Sequence, residues 1–275
     1  MDFVNFARNH GLIINSVNGL NKWISTPTED HPRSTNGRYK LLGDVGWVIN
    51  WATMEKPAIW RSEGNSPLST NIRKQIDASN RERELMAQKA SAKADWILQQ
   101  TELLPHPYLE KKGFPNEEGN VWRKDGESIL VIPMRLGKAL VGCQLVTEQG
   151  EKKFLHGQSS KGATFVIGTE GTTFFCEGYA TALSVRQIMK TSNLSYCINV
   201  CFSASNMKFV ARNKGEGIII ADNDANGVGE SCAKETGYPY WISETVGEDF
   251  NDYHVRVGSF RASQTLKKFL LGAKT

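Results

Sequence analysis

The stretch GIIIADNDANGVGE, residues 217–230, decides how the second half of this chain folds. Ile218, Ile219 and Ile220 form an unbroken β-branched run. A strand buried on both faces, as in a parallel sheet, carries that pattern. Asp222 and Asp224 follow directly, one residue apart. That spacing puts both carboxylates on the same side of an extended chain. Their repulsion is unfavourable unless a cation or a basic group offsets it. Gly227 permits a tight turn into the next helix. The run opens like a calcium-binding loop, but its twelfth position is Ala233 rather than Glu, and the chain continues into a helix, so an EF-hand is excluded.

Working outward, strands alternate with helices. TTFFC at 172–176 reads as a short buried strand and YATALSVRQIMK at 179–190 as an amphipathic helix. SYCINVCFSA at 195–204 is a second strand and NMKFVARN at 206–213 a short helix. GIIIAD is the third strand, GVGESCAKET at 227–236 a helix, and PYWIS at 239–243 a fourth strand. This alternation argues for an α/β unit with a parallel sheet and right-handed crossovers. Ligands of such sheets bind at the carboxyl ends of the strands. Acidic residues fall at those ends: Glu177 after the first strand, in FFCEGYATALS; Asp222 and Asp224 after the third; Asp249 and Asp252 after the fourth, in GEDFNDY. Gly178 and Gly227 are the turn glycines. Oxygen donors at this density suit Mg²⁺ or Mn²⁺, and a site of one or two such metals suits phosphoryl chemistry.

The rest of the chain frames this unit. KKFLHG and ATFVIG, with SILVIPMRL and ALVGCQLV before them, are strand-like runs punctuated by Gly137, Gly150, Gly157 and Gly162, read as an antiparallel sheet. Arg135, Lys152, Lys153 and Lys161 put basic side chains along it. Pro105 and Pro107 break a long charged helical stretch that covers residues 66–101 and begins near an N-cap at Ser69 or Thr70. Residues 1–65 read as a small β-rich domain opened by a short helix that stops near Gly11. It holds Trp23, Trp47, Trp51 and Trp60. Those rings form either an aromatic core, the reading favoured here, or a stacking surface for bases.

Composition bounds the possibilities. The chain has 275 residues, 40% hydrophobic and 23% charged, with a net charge of +4, as in ordinary soluble proteins. Residues 170–254 hold 11 acidic against 6 basic side chains, whereas 255–275 hold 5 basic and no acidic ones. Five cysteines at irregular spacing, with no signal peptide, predict a reducing cytoplasmic setting. Cys197 and Cys201 read as small buried hydrophobes rather than metal ligands. No apolar run is long enough for a membrane span.

Three of these segments together resemble a known family. FFCEGYATALS, IIIADNDANGVGE and GEDFNDY resemble the three motifs of the TOPRIM domain, shared by DnaG-type primases, topoisomerases and several nucleases. EGYATALS, ASNMKFVA and DFNDY are most similar to the phage and plasmid primases. PHPYLEKKGF, VIPMR and KKFLHGQSSKGATFVIG resemble the basic RNA-polymerase subdomain of the same enzymes. The fold class expected is therefore α/β, or α+β overall: a TOPRIM, Rossmann-like parallel sheet joined to a basic mixed α+β subdomain and preceded by a small β-rich N-terminal domain. The expected divisions are 1–65 N-terminal domain, 66–101 helical linker, 102–169 basic subdomain, 170–254 TOPRIM unit and 255–275 C-terminal helix.

The resemblance implies an activity: a DNA primase that joins ribonucleoside triphosphates into short RNA primers on a single-stranded DNA template during phage or plasmid replication. Glu177 would be the general-base or metal-contacting glutamate, Asp222 and Asp224 would hold two divalent cations, and Asp249 and Asp252 would be the accessory acidic pair. Arg135, Lys152, Lys153 and Lys161 would face template or nucleotide phosphates. A replicative helicase would be a further partner, and a membrane would not. Alternatives are a TOPRIM nuclease and a non-catalytic DNA-binding or helicase-loading protein.

The chain departs from the family in two places. Thr181 stands four residues after Glu177, where the family usually carries Asp, so the second metal would be held differently. Residues 1–65 hold no cysteine, so no zinc is expected in the N-terminal domain. In a zinc-free version Arg33, Arg38 and Lys40 would meet template phosphates, or are simply solvated charges. No GxxxxGK[ST] motif occurs, which argues against a fused helicase. The basic tail FRASQTLKKFLLG is expected to cap the core or to dock on a helicase.

Overall fold

A computed structural model describes residues 1–17, 22–54, 56–62 and 70–273. The chain forms two compact units, Met1–Glu82 and Arg83–Thr275. The expected N-cap at Ser69 lies outside the described residues.

The first unit opens with α1 (Phe3–Asn9), whose N-terminus is capped by the Asp2 carboxylate accepting from Asn5 N–H at 2.8 Å. Four strands follow, β1 (Ile24–Thr26), β2 (Gly37–Leu42), β3 (Val45–Asn50) and β4 (Ala58–Arg61), joined in that order as an antiparallel sheet. The core is built from Phe3, Ala7, Leu12, Ile14, Tyr39 and Val48. The tryptophans contribute less than their number suggests. Trp60 packs edge-on against Phe3 at 5.5 Å, but Trp23 and Trp51 are 42% and 57% exposed. Trp47 packs against Leu42 and Val45, so two of the four tryptophans pack against core residues and two do not. Phe3 and Tyr39 supply the buried aromatic rings of the core, where α1 lays its apolar face on the sheet.

The second unit starts within α2 (Thr70–Gln99), one continuous helix. Ala90, Ala94 and Ile97 pack it onto one face of a five-stranded antiparallel sheet. That sheet runs β5 (Thr101–Pro105), then, beyond α3 (Pro107–Lys111), β6 (Glu118–Lys124), β7 (Glu127–Leu136), β8 (Ala139–Val146) and β9 (Lys152–Phe154), in chain order. Pro105 ends the edge strand β5, where no ladder hydrogen bond is lost. Pro107 opens α3 at its first turn, and His106 caps it by accepting from Tyr108 N–H at 3.2 Å.

The second sheet is built from β10 (Phe165–Gly168), β11 (Thr172–Cys176), β12 (Tyr196–Val200), β13 (Ile218–Ile220) and β14 (Tyr240–Trp241), in the order β10-β12-β11-β13-β14. Strands β11 to β14 are parallel, and β10 is an antiparallel edge. The α/β expectation holds. One assignment is corrected: ATFVIG does not extend the first sheet. It pairs with β12, while a single bridge between Arg135 and Thr164 ties it back to β7.

Helices α4 (Tyr179–Thr191), α5 (Ala204–Lys214) and α6 (Val228–Lys234) make the crossovers, and α7 (Phe250–Gly272) closes the unit. α7 begins five residues earlier than the expected C-terminal helix and breaks at Gly258, where φ is 79°. Beyond the break Ala262, Leu266 and Leu270 enter the main core with Phe174, Leu183 and Phe250, so this tail caps the core. Among the described residues no helix is long and apolar enough to cross a membrane.

Candidate active site

The parallel strands end together, and backbone hydrogen bonds carry their pairing one step further. Cys201 N–H donates to Cys176 O at 2.8 Å, and Phe202 N–H to Glu177 O at 2.9 Å. Glu177 is thus fixed at the carboxyl end of β11. Its carboxylate accepts from Ala204 N–H at the start of α5, where the helix end offers unpaired donors.

Beyond β13, Ala221 N–H donates to Trp241 O at 2.9 Å, and Asn223 donates from its side-chain amide to Ser243 O at 2.9 Å. Asn223, between the two aspartates, therefore anchors their loop to the loop after β14. Gly229, in the first turn of α6, lies so close to this chain that an added Cβ would stand 2.2 Å from Asp222 O. Gly227 adopts φ 68°, the left-handed region, as the turn requires. Gly178 does not: its φ of −99° is open to any residue, so it is no special turn position.

Asp249 caps α7, accepting from Asp252 N–H at 2.8 Å. Asp252, 47% exposed, pairs with Lys112 Nζ at 2.8 Å. The neighbouring Glu248 is buried and held by Ser243 Oγ and by Arg256, whose Nε donates at 2.6 Å. Arg256 and Ser243 hold this carboxyl below its usual range against the opposing effect of burial.

The carboxylates feel one another. Burial, then Glu177, Asp249 and Asp224, push the Asp222 carboxyl up to about 8, with Lys152 opposing. Burial and then Asp224 raise Glu177, against Lys152 and the Ala204 N–H. Burial raises Asp249, with Lys112 and Lys152 among the opposing groups. Glu177, Asp222, Asp224 and Asp249 therefore share one electrostatic environment with Lys152. Asp252 sits at its margin.

Among the described residues, no group of three or more His, Cys, Asp or Glu side chains is placed so that it could hold a metal ion. The donor chemistry nevertheless fits a hard divalent cation. Asp222 Oδ1 is enclosed and has no hydrogen-bond partner, although a buried carboxylate oxygen ordinarily has one. Further carboxylates with no cysteine or histidine among them favour Mg²⁺ or Mn²⁺ over zinc. Mg²⁺ takes few protein ligands and keeps water or phosphate in the rest of its shell. Thr181 is fully buried in the first turn of α4, with its hydroxyl unpartnered.

The basic residues do not form one group. Side chains alternate along β9, so Lys152 and Lys153 lie on opposite faces. Lys152 opposes Val146 of the main core, on the face towards the parallel sheet, whereas Lys153 opposes Leu145 on the α2 side and pairs with Glu151 at 3.2 Å. Lys161 stands over the Phe209 ring at 4.7 Å. Its loop is fixed by buried Asn206, which accepts from Gly162 N–H at 2.7 Å and donates to Ala163 O and Cys201 O at 2.9 and 2.8 Å. Arg135 is exposed and donates to Lys138 O at 3.0 Å. Arg33, Arg38 and Lys40 belong to the first unit, the last two on one face of β2.

Sequence reasoning overlooked Asn206, Asn223 and Glu248. Asn206 lies within ASNMKFVA, and an amide in the first turn of a helix beside a strand end was the available signal. Glu248 and Asn223 carried none, because their partners are loop groups set by the fold. Among the cysteines, Cys143, Cys176, Cys201 and Cys232 are buried, Cys197 is partly exposed, and all five are free thiols.

No protein-family model matches the sequence, and no curated protein matches it. Several solved chains are similar in part, two of them from bacteriophage T7. One is a chain from the complex of the bacteriophage T7 lagging-strand DNA polymerase with the primase domains of two gp4 subunits, an RNA/DNA hybrid and dTTP. It is 15% identical over 60% of this chain and 85% of that chain, with a TM-score of 0.43. The other is the primase fragment of the bacteriophage T7 primase-helicase, 15% identical over 58% of this chain and 68% of that one, with a TM-score of 0.41.

Proposed function

We propose that the chain is a DNA primase of the TOPRIM type, which synthesises short RNA primers on single-stranded DNA by divalent-metal-dependent nucleotidyl transfer. The observation that carries this reading is the placement of Glu177, Asp222 and Asp224 directly after parallel strands, with Asp222 Oδ1 enclosed and without a hydrogen-bond partner and with Glu177, Asp249 and Asp224 acting on that carboxyl electrostatically. The resemblance of FFCEGYATALS, IIIADNDANGVGE and GEDFNDY to the three TOPRIM motifs supports it independently.

In the reaction, the 3′-oxygen of one ribonucleotide forms a bond to the α-phosphorus of the next, and the bond from that phosphorus to pyrophosphate breaks. Glu177, with its raised pKa, takes the proton of the 3′-hydroxyl. Asp222 and Asp224 would hold Mg²⁺ or Mn²⁺, with Asp249 near by. When bound, the cation would neutralise charge on the phosphates and the departing pyrophosphate. Lys152 meets phosphate oxygens, since it already faces the carboxylates. Asn206 and Asn223 hold the loops that carry Lys161 and the two aspartates. The partners that follow are a single-stranded DNA template, ribonucleoside triphosphates and a replicative helicase, and the setting is the cytoplasm of a bacterial cell.

The test is synthesis on a panel of single-stranded templates with the four ribonucleoside triphosphates and Mg²⁺ or Mn²⁺. Short RNA products that require both template and cation are expected. Cleavage of the DNA in the cation alone, without RNA products, would replace this reading with a nuclease. Template binding with neither reaction would leave a non-catalytic DNA-binding module.

A further inference from the structure

Phe202 is a non-glycine residue with φ 69°, in the left-handed region that disfavours side chains. It lies directly after β12, hydrogen-bonded to Glu177 O at 2.9 Å. Such strain persists where the surroundings over-determine it, and it clusters at ligand sites. Here it places the buried Phe202 ring edge-on against Phe154, with centroids 6.4 Å apart and planes at 82°. Phe154 itself is 47% exposed. A large aromatic ring held by a strained, buried partner, yet open on its own side, is an unusual ornament for a three-residue edge strand.

Alternation gives the ring its direction. Phe154 and Lys152 share one face of β9, opposite Gln144 and Val146 of β8. That is the face of the first sheet that meets the core of the parallel sheet, and Lys152 acts electrostatically on Glu177, Asp222 and Asp249. Lys152 and Phe154 are therefore neighbours on one face, their backbone positions about 7 Å apart along the strand, and Lys152 acts on the carboxylates. A cation and an aromatic ring so placed suit the phosphate and the base of one nucleotide.

We infer that Phe154, braced by Phe202, is a base-stacking platform for the nucleotide whose phosphates lie at Lys152 and the carboxylate site. This rests on the nucleotidyl-transfer reading and adds to it the group that holds the base. Stacking on an open ring engages any base through its π face, so the platform is tolerant of base identity. Discrimination among nucleotides falls to template pairing.

The test compares binding of ATP and of inorganic triphosphate, each with Ca²⁺ by calorimetry, to the wild type and to Phe154→Ala, Phe154→Leu and Phe154→Trp. Phe154 is half-exposed, so the variants keep the fold, and circular dichroism checks that they do. Loss of one stacked base corresponds to about a tenfold weakening. Phe154→Ala and Phe154→Leu are expected to weaken ATP about tenfold and leave triphosphate unchanged, with Phe154→Trp restoring ATP. Equal weakening of both ligands, or no weakening of ATP, overturns the platform while nucleotide binding stands. A wild type that binds neither ATP nor triphosphate overturns the nucleotidyl-transfer reading and the platform with it.

Discussion

Phe202 donates its backbone N–H to the carbonyl of Glu177 at 2.9 Å while holding φ at 69°. The contact couples a strained backbone to the first acidic residue of the site. Two substitutions separate strain from packing. Phe202→Ala removes a buried ring, at a cost of about 3–5 kcal/mol. Phe202→Gly removes the same ring but relieves the left-handed backbone, worth about 1 kcal/mol. Urea unfolding should therefore find the glycine variant the more stable of the two, against the usual order. An alanine variant as stable as the glycine one would show that the backbone stores no strain here.

Gly229 sits in the first turn of a helix, where alanine ordinarily stabilises by up to about 1 kcal/mol. An added Cβ would stand 2.2 Å from Asp222 O, so backbone must move. Gly229→Ala is expected to destabilise instead, and to lower cation-dependent activity because Asp222 shifts. Thermal unfolding and the activity assay together check this. A stabilised, fully active variant would contradict the close packing.

Glu248 supplies a pH dependence. Arg256 and Ser243 depress its carboxyl below the ordinary value of 4.5. A depressed folded pKa contributes stability that is present above the unfolded value and lost as pH falls through the folded one. Glu248→Gln should cost about 2 kcal/mol at neutral pH. That deficit should shrink as the pH drops below 4.5, as seen by urea unfolding across pH 3–7. A deficit independent of pH would assign the loss to packing alone.

Asp222 predicts a linkage to divalent cations. A ligand bound only by the folded state stabilises it, by about 2.7 kcal/mol at a hundredfold excess over Kd. Mg²⁺ or Mn²⁺ should raise the thermal midpoint of the wild type, and Asp222→Asn should abolish most of that rise. An equal rise in both proteins would place the cation elsewhere.

The parallel sheet was readable because its signal is local. The isoleucine run of β13 and the apolar run of β11 stand directly before their carboxylates. The placement of Glu177, Asp222 and Asp224 at strand ends was legible for the same reason, because each follows its apolar run directly in the chain. The two carboxylate-bearing loops are held by Asn223 and Glu248, however, and neither partner set can be read from spacing. Strand β5 was missed because Pro105 and Pro107 read as helix punctuation, when one ends an edge strand and the other starts a short helix. Of the tryptophans of the first unit, Trp47 and Trp60 pack against core residues and the other two do not. Exposed Trp23 and Trp51 show that ring size alone does not place a residue in a core. The basic residues were legible as a class but not as a group, since a one-residue step along β9 sends Lys152 and Lys153 to opposite faces.

The most direct measurement is primer synthesis by Asp222→Asn, an isosteric change that removes one negative charge and keeps the side chain's shape. With ribonucleoside triphosphates, single-stranded template and Mg²⁺, the variant is expected to lose synthesis by at least about a hundredfold, as for loss of a group essential to charge stabilisation. It should still fold and still bind single-stranded DNA. Synthesis by the variant at the wild-type rate would contradict the assignment of the carboxylate cluster as the catalytic centre.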